Sequence, residues 1–137
     1  MAKTLALIFG AILVLVGLLG FVGNPLVGAN ALFEADAAHN ILHILIGLIL
    51  LGIALWYPAS SALWLKIVGV VYLLLAIIGF LTVSGMGQLL GLIGVNDADN
   101  WLHLVLGIVV LLAGIYARDD HMAPAGTMPA HTPGEGM

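Results

Sequence analysis

Apolar residues run almost without interruption through four stretches of the chain, roughly 4–23, 37–57, 64–83 and 98–117. Each is about 20 residues long, the length an α-helix needs to cross the hydrocarbon core of a bilayer. Polar residues gather between the stretches instead of alternating through them, so the pattern predicts an all-α membrane protein of four transmembrane helices. The connections differ in kind. "NPLVGANALF" and "SGMGQLLGLIGV" are apolar and glycine-rich, and read as loops lying against the membrane surface. "YPASSALW" reads as a short turn, with Pro58 ending the second helix. After Arg118, "DDHMAPAGTMPAHTPGEGM" has no periodicity and reads as a disordered tail over 118–137.

The pattern occurs twice. At an offset of 59, Gly10, Gly17, Gly20 and Phe21 fall on Gly69, Ala76, Gly79 and Phe80. At an offset of 60, His39, Asn40, Leu42, His43, Gly47 and Ala54 fall on Asp99, Asn100, Leu102, His103, Gly107 and Gly114. One residue of slippage in the first loop reconciles the two offsets. The expected organisation is one domain over 1–117, with repeat 1 about 3–57 and repeat 2 about 62–117. Each repeat holds an even number of spans, so both enter the membrane from the same side. The result is two parallel tandem helical hairpins related by a pseudo-two-fold axis along the membrane normal.

Charge sets the orientation. Lys3, Lys66 and Arg118 lie at the termini or between the repeats, while Glu34, Asp36, Asp97 and Asp99 lie in or near the other two loops. By the positive-inside rule the N and C termini are expected to be cytoplasmic, in a multi-pass arrangement. Trp56, Tyr57, Trp64 and Tyr116 then fall at the inner interface and Trp101 at the outer one.

Composition narrows the picture further. The 137 residues are 63% hydrophobic and 7% charged, with 18 glycines placed mostly in or beside the apolar runs, where they allow close helix contact. Four spans leave no room for a soluble catalytic domain. There is no cysteine, which excludes disulfides, thiolate metal sites and cysteine-held iron–sulfur clusters from this chain. The start of the chain resembles a secretory signal, with Lys3 and the small residues Ala29 and Ala31. Its apolar run, however, exceeds the roughly 7–15 residues of a signal core, and its counterpart lies in mid-chain, so the first helix is expected to be retained.

The candidate chemistry lies where the repeats turn polar. Residues four apart share a helix face, so His39, His43 and Gly47, continued by Ala54, form one stripe. Asp99, His103, Gly107 and Gly114 form its counterpart. Small residues on a stripe bring backbones together, which points the histidines into the bundle, near the axis and at the outer interface. In one reading these groups only finish the helices. Asp36 or Asp97 caps an N-terminus, Asn40 and Asn100 bond across the helix interface, and the cluster clasps the two repeats.

The rival reading is a cofactor. His39, His43, Asp99 and His103 supply three imidazoles and a carboxylate, a set suited to zinc and acceptable to ferrous iron or manganese. Without Asp99 such a site would keep an open position for water or substrate. A haem version takes His43 and His103 as axial ligands beside Gly47 and Gly107. Transport of protons or ions, by this chain or a complex it serves, is a third reading, although both stripes are apolar below His43 and His103. The tail's His121, Met122, Met128, His131 and Met137 have a loose copper-binding composition. Ser84 and Gln88 are expected at the outer end of the third helix, facing headgroups.

At "HNILHILIG" and "GVNDADNWLHLVLG" the sequence resembles a family of small bacterial membrane proteins known as domain of unknown function 4383, over roughly residues 3–117. The family pattern has HN followed by H in the first half and NTADNWLH in the second; here Asp97 stands where Thr is common. The resemblance implies four spans and carries no activity, substrate or cofactor. The expected function is that of a small non-enzymatic membrane protein, with lipid and either a protein partner or a second copy as neighbours. No nucleophile with a paired base, phosphate-cradling loop or basic nucleic-acid groove is present in the sequence.

Overall fold

The computed structural model describes residues 1–117, so the tail with its His and Met residues lies outside the described residues. Four helices account for most of the rest: α1 (Ala2–Leu19), α2 (Ala37–Trp56), α3 (Ser61–Thr82) and α4 (Asp97–Tyr116). All four are long and apolar enough to cross a membrane. A single 3-10 turn, Pro58–Ser60, joins α2 to α3, with Pro58 at the start where its missing N–H is no loss. α1 ends earlier than the apolar run suggests. Beyond Gly20 the Asn24 carboxamide takes over the chain, donating to the carbonyls of Leu19, Val22 and Val27 at 3.0, 2.6 and 2.8 Å and accepting from the N–H groups of Leu26 and Val27 at 2.9 Å.

The expectation of an all-α chain needs correction, because both long loops contain strand pairing. In the first, β1 (Val27–Gly28) and β2 (Phe33–Glu34) make a two-residue parallel bridge. In the second, β3 (Met86–Leu89) and β4 (Ile93–Asn96) form an antiparallel hairpin. Its turn places Leu90 and Gly91 at φ 54° and 69°, the positive values that primed hairpin turns require. Pairing the loop with itself satisfies backbone N–H and C=O groups that would otherwise lack partners. Gln88 therefore lies on a strand, and Ser84 just beyond α3; both are exposed.

α1 packs along α2 and α3 along α4, and these are the extensive helix contacts. Small residues set both. A side chain at Gly10 would meet the Gly47 carbonyl oxygen at 2.9 Å, and one at Gly47 would meet the Gly10 oxygen at 2.7 Å. In the other pair a side chain at Gly69 would meet Leu111 N at 2.5 Å, and one at Gly107 would meet Leu73 N at 2.8 Å. α1 buries Ala2, Ala6, Gly10, Leu13 and Gly17, a stripe at helical spacing, and leaves Leu15 65% exposed. The interior combines Leu13, Leu50, Leu65, Val68 and Val110 with small and polar residues, while many other Leu, Ile and Val side chains face outward, as few would in a water-soluble bundle. The two hairpins meet chiefly through α1 and α2 against α3, and through β2 against β4.

Candidate metal centre

The polar residues begin their work at the helix starts. Asp36 is the N-cap of α2, its Oδ1 accepting the His39 backbone N–H at 2.8 Å. α4 is capped by Asn96 and not by Asp97. The Asn96 side chain accepts the Asp99 N–H at 3.0 Å and the Asp99 carboxylate accepts the Asn96 N–H at 2.8 Å, a reciprocal capping box. Asp97 is the exposed first residue of the helix, and its carboxylate reaches the Gly85 N–H at 3.2 Å. The spacing N-x-x-D in "NDAD" carries this box, and the sequence reading took the neighbouring acid instead.

The same two carboxylates bond across the hairpins. Asp36 Oδ2 accepts the Gly94 N–H at 2.8 Å, and Asp99 Oδ2 accepts the Glu34 N–H at 2.9 Å. Asn96 Nδ2 adds a bond to the Leu32 carbonyl at 3.0 Å. His39 closes the ring: its Nδ1 lies 2.8 Å from the Gly94 carbonyl oxygen and 3.1 Å from that of Glu34. Both partners can only accept, so Nδ1 carries the proton, and in the neutral ring Nε2 keeps the free lone pair. Gly94 and Glu34 each give a carbonyl to His39 and an N–H to a carboxylate. None of that backbone chemistry is visible in the sequence.

His43 and His103 stand apart from this network. Each has a buried Nδ1 with no hydrogen-bond partner among the described residues. Ring centroids are 4.6 Å apart for His39 and His43, 5.5 Å for His39 and His103, and 6.2 Å for His43 and His103. One ligand nitrogen from each of the three lies within 4.8 Å of the others, and all three residues are buried. A tetrahedral zinc with Zn–N near 2.1 Å holds its nitrogens about 3.4 Å apart, so the rings need to close by no more than about 1.4 Å. Asp99, expected with the imidazoles, is not in this group; it is 2% exposed, and one of its oxygens, Oδ2, accepts both the Glu34 and the Asn96 backbone N–H.

Tyr72 of α3 was not singled out by sequence and belongs here. Its ring stacks on His43 at 6.4 Å and meets His103 edge-on at 5.2 Å, and its buried hydroxyl also lacks a partner. Each such unpaired buried polar atom costs about 1–3 kcal/mol if nothing else compensates it. The three histidines and Tyr72 line a cavity of about 30 Å³ together with Leu42, Ile46, Leu75 and Ile93. That space suits a ligand of a few atoms, and His43 and His103 also border a larger apolar cavity of about 260 Å³ lined by Leu13, Phe33, Leu102 and Leu106. Asn40 and Asn100 point elsewhere, into the notches left by Gly20 and Gly79.

Residues 3–116 match a family model described as a domain of unknown function (DUF4383). No curated protein and no solved structure matches the chain.

Proposed function

The chain belongs to the DUF4383 family, and from that premise we propose that it is an integral membrane protein holding one divalent transition-metal ion on His39, His43 and His103. The carboxylates of Asp36 and Asp99 clasp the two hairpins around that ion. The observation that carries this reading is the convergence of three buried imidazoles, two of them with unpartnered ring nitrogens. Three neutral imidazoles and an open fourth position suit zinc, and ferrous iron or manganese accept the same donors. His39 already has the arrangement such ligands need, with Nδ1–H fixed by carbonyls and Nε2 left as the donor atom.

Lipid as the surrounding medium is supported by what the helices expose. Leu48, Leu74, Val105 and Ile115 are each more than half exposed, whereas Asn40, Asn100 and Asp99 are buried. A polar interior under an apolar surface is stable only where the surroundings are apolar. Trp56, Tyr57 and Tyr116 are exposed at one end of the bundle and Trp101 at the other, as interfacial belts require. The cations Lys3, Lys66 and Arg118 favour cytoplasmic termini in a bacterial inner membrane, with the histidines near the outer face. The recurrence of equivalent glycine contacts in both helix pairs supports two parallel repeats about a pseudo-two-fold axis. Below the imidazoles the buried faces continue as Gly47, Leu50 and Ala54 and as Gly107, Val110 and Gly114, which gives an ion no polar path on these helices.

The test is elemental analysis of protein purified without an immobilised-metal column. About one equivalent of zinc, iron or manganese is expected in the wild type, and less than about a tenth of that in His43→Ala. Metal-free wild type that also fails to take up zinc on dialysis would leave the cluster as a polar clasp alone.

A further inference from the structure

The two halves of the bundle match closely enough that their differences carry information. At the offset of 60, His39 faces Asp99; at the offset of 59, Tyr72 faces Leu13. Both departures line the same cavity, the one of about 30 Å³ between α2 and α3. The corresponding cleft between α1 and α4 also reaches His43 and His103, but there Leu13 takes the place of tyrosine and the remaining walls, Val16, Phe33, Leu102 and Leu106 among them, are apolar. A third departure, buried Ser61 against Ala2, lies at the start of α3 and away from this cavity; His39 and Tyr72 are the two that fall together, on one side of the axis.

A tyrosine placed there only to fill space would need no hydroxyl; phenylalanine has the same ring. The Tyr72 hydroxyl is buried and unpartnered in a residue that is 2% exposed, and it shares its cavity with three imidazoles, two of which have an unpartnered nitrogen of their own. A phenol is both donor and acceptor, and buried polar atoms are almost always satisfied by protein, water or a ligand. A space of this size admits a water or a small anion, since one water needs roughly 10–15 Å³ of such volume.

We propose that this cavity is the seat of an exogenous ligand on the metal, either water, hydroxide or a small anion, and that Tyr72 donates a hydrogen bond to it. The proposal rests on the three-imidazole metal reading above. Tyr72 acts on the bound ligand and is not itself a metal ligand. His39 and Tyr72 together make one side of a duplicated bundle able to bind and polarise a small molecule where the other side cannot.

The experiment loads wild type and Tyr72→Phe with Co²⁺ and titrates each with azide while recording the visible d–d bands. Both proteins are expected to bind Co²⁺ with the same stoichiometry and similar affinity. Azide should shift the wild-type bands to saturation, and its dissociation constant should rise about five- to tenfold in Tyr72→Phe, the loss of one hydrogen bond. Equal azide affinity in the two proteins, or bands that ignore azide in the wild type, would overturn the proposal and leave the metal site standing. Loss of Co²⁺ binding in Tyr72→Phe, with folding intact by circular dichroism, would make the phenol a metal ligand and overturn it as well. Failure of the wild type to bind Co²⁺ would remove the metal reading and this one with it.

Discussion

The closest approach within the second hairpin gives a quantitative prediction. Gly79 of α3 sits directly against the Asn100 carboxamide of α4, and a Cβ at Gly79 would overlap Asn100 Oδ1 outright and lie 2.7 Å from Cγ. Ordinary contact begins at 3.4 Å, so Gly79→Ala forces the carboxamide to move. Asn100 is fully buried and has nowhere to go, and neither its Oδ1 nor its Nδ2 has a conventional partner among the described residues. Its carboxamide rests against the bare Gly79 backbone, where a Cα–H···O contact contributes about 0.5–1 kcal/mol. Overpacking should cost Gly79→Ala about 1–3 kcal/mol. Asn100→Ala should cost about 1–2 kcal/mol through the space it leaves. In the double variant the new methyl group enters the space vacated by the carboxamide, so the two costs should fail to add by about 1–3 kcal/mol. The assay is reversible unfolding in mixed detergent–SDS micelles followed by circular dichroism, with Gly23→Ala, which has open space around it, as the neutral control. Additivity within about 0.5 kcal/mol would refute the argument that this glycine exists to admit this asparagine.

Two other outcomes follow from the same contacts. Asp99→Ala strands the N–H groups of Glu34 and Asn96 and should lower stability in the same assay by about 2–5 kcal/mol, whereas Asp97→Ala, at an exposed position, should stay within about 0.5 kcal/mol. Because the chain has no cysteine, single cysteines report topology: Met86→Cys should react with a membrane-impermeant maleimide in intact cells and Ala59→Cys only after permeabilisation, and the opposite result would invert the proposed orientation.

The helices were legible because length and hydropathy alone decide them, and three of the four starts and stops fall within a few residues of the apolar runs. The inward direction of His39, His43 and His103 was legible too, since Gly47 and Gly107 on the same stripes can face only another helix. The loops were not. "SGMGQLLGLIGV" has no alternation to mark strands, and its pairing satisfies backbone groups, which leaves no trace in side-chain pattern. Tyr72 escaped notice because a single tyrosine in a long apolar run has no periodicity; only comparison with Leu13 in the other repeat reveals it. The bonds of Asp99 are legible only in part: its spacing from Asn96 carries the capping box, whereas the bond from the Glu34 N–H of the opposite loop leaves no mark in the sequence.

Those two bonds bear on why there are three imidazoles and not two. Each repeat needs one carboxylate near the start of its second helix, both to cap the helix and to bond a backbone N–H of the opposite loop. In the first repeat the N-cap position supplies it: Asp36 takes the His39 N–H with one oxygen and the Gly94 N–H with the other. The position three residues on is then free, and an imidazole occupies it. In the second repeat the N-cap is Asn96, whose amide cannot carry the charge, and the carboxylate moves to Asp99, where it takes the Asn96 and Glu34 N–H groups. Moving one acid by three residues within a capping box keeps both cross-hairpin bonds and, in the first repeat only, frees the site that His39 fills. With a carboxylate at the cap of one helix and at the third position of the other, the first hairpin carries His39 where the second carries Asp99, and both cross-hairpin bonds are kept.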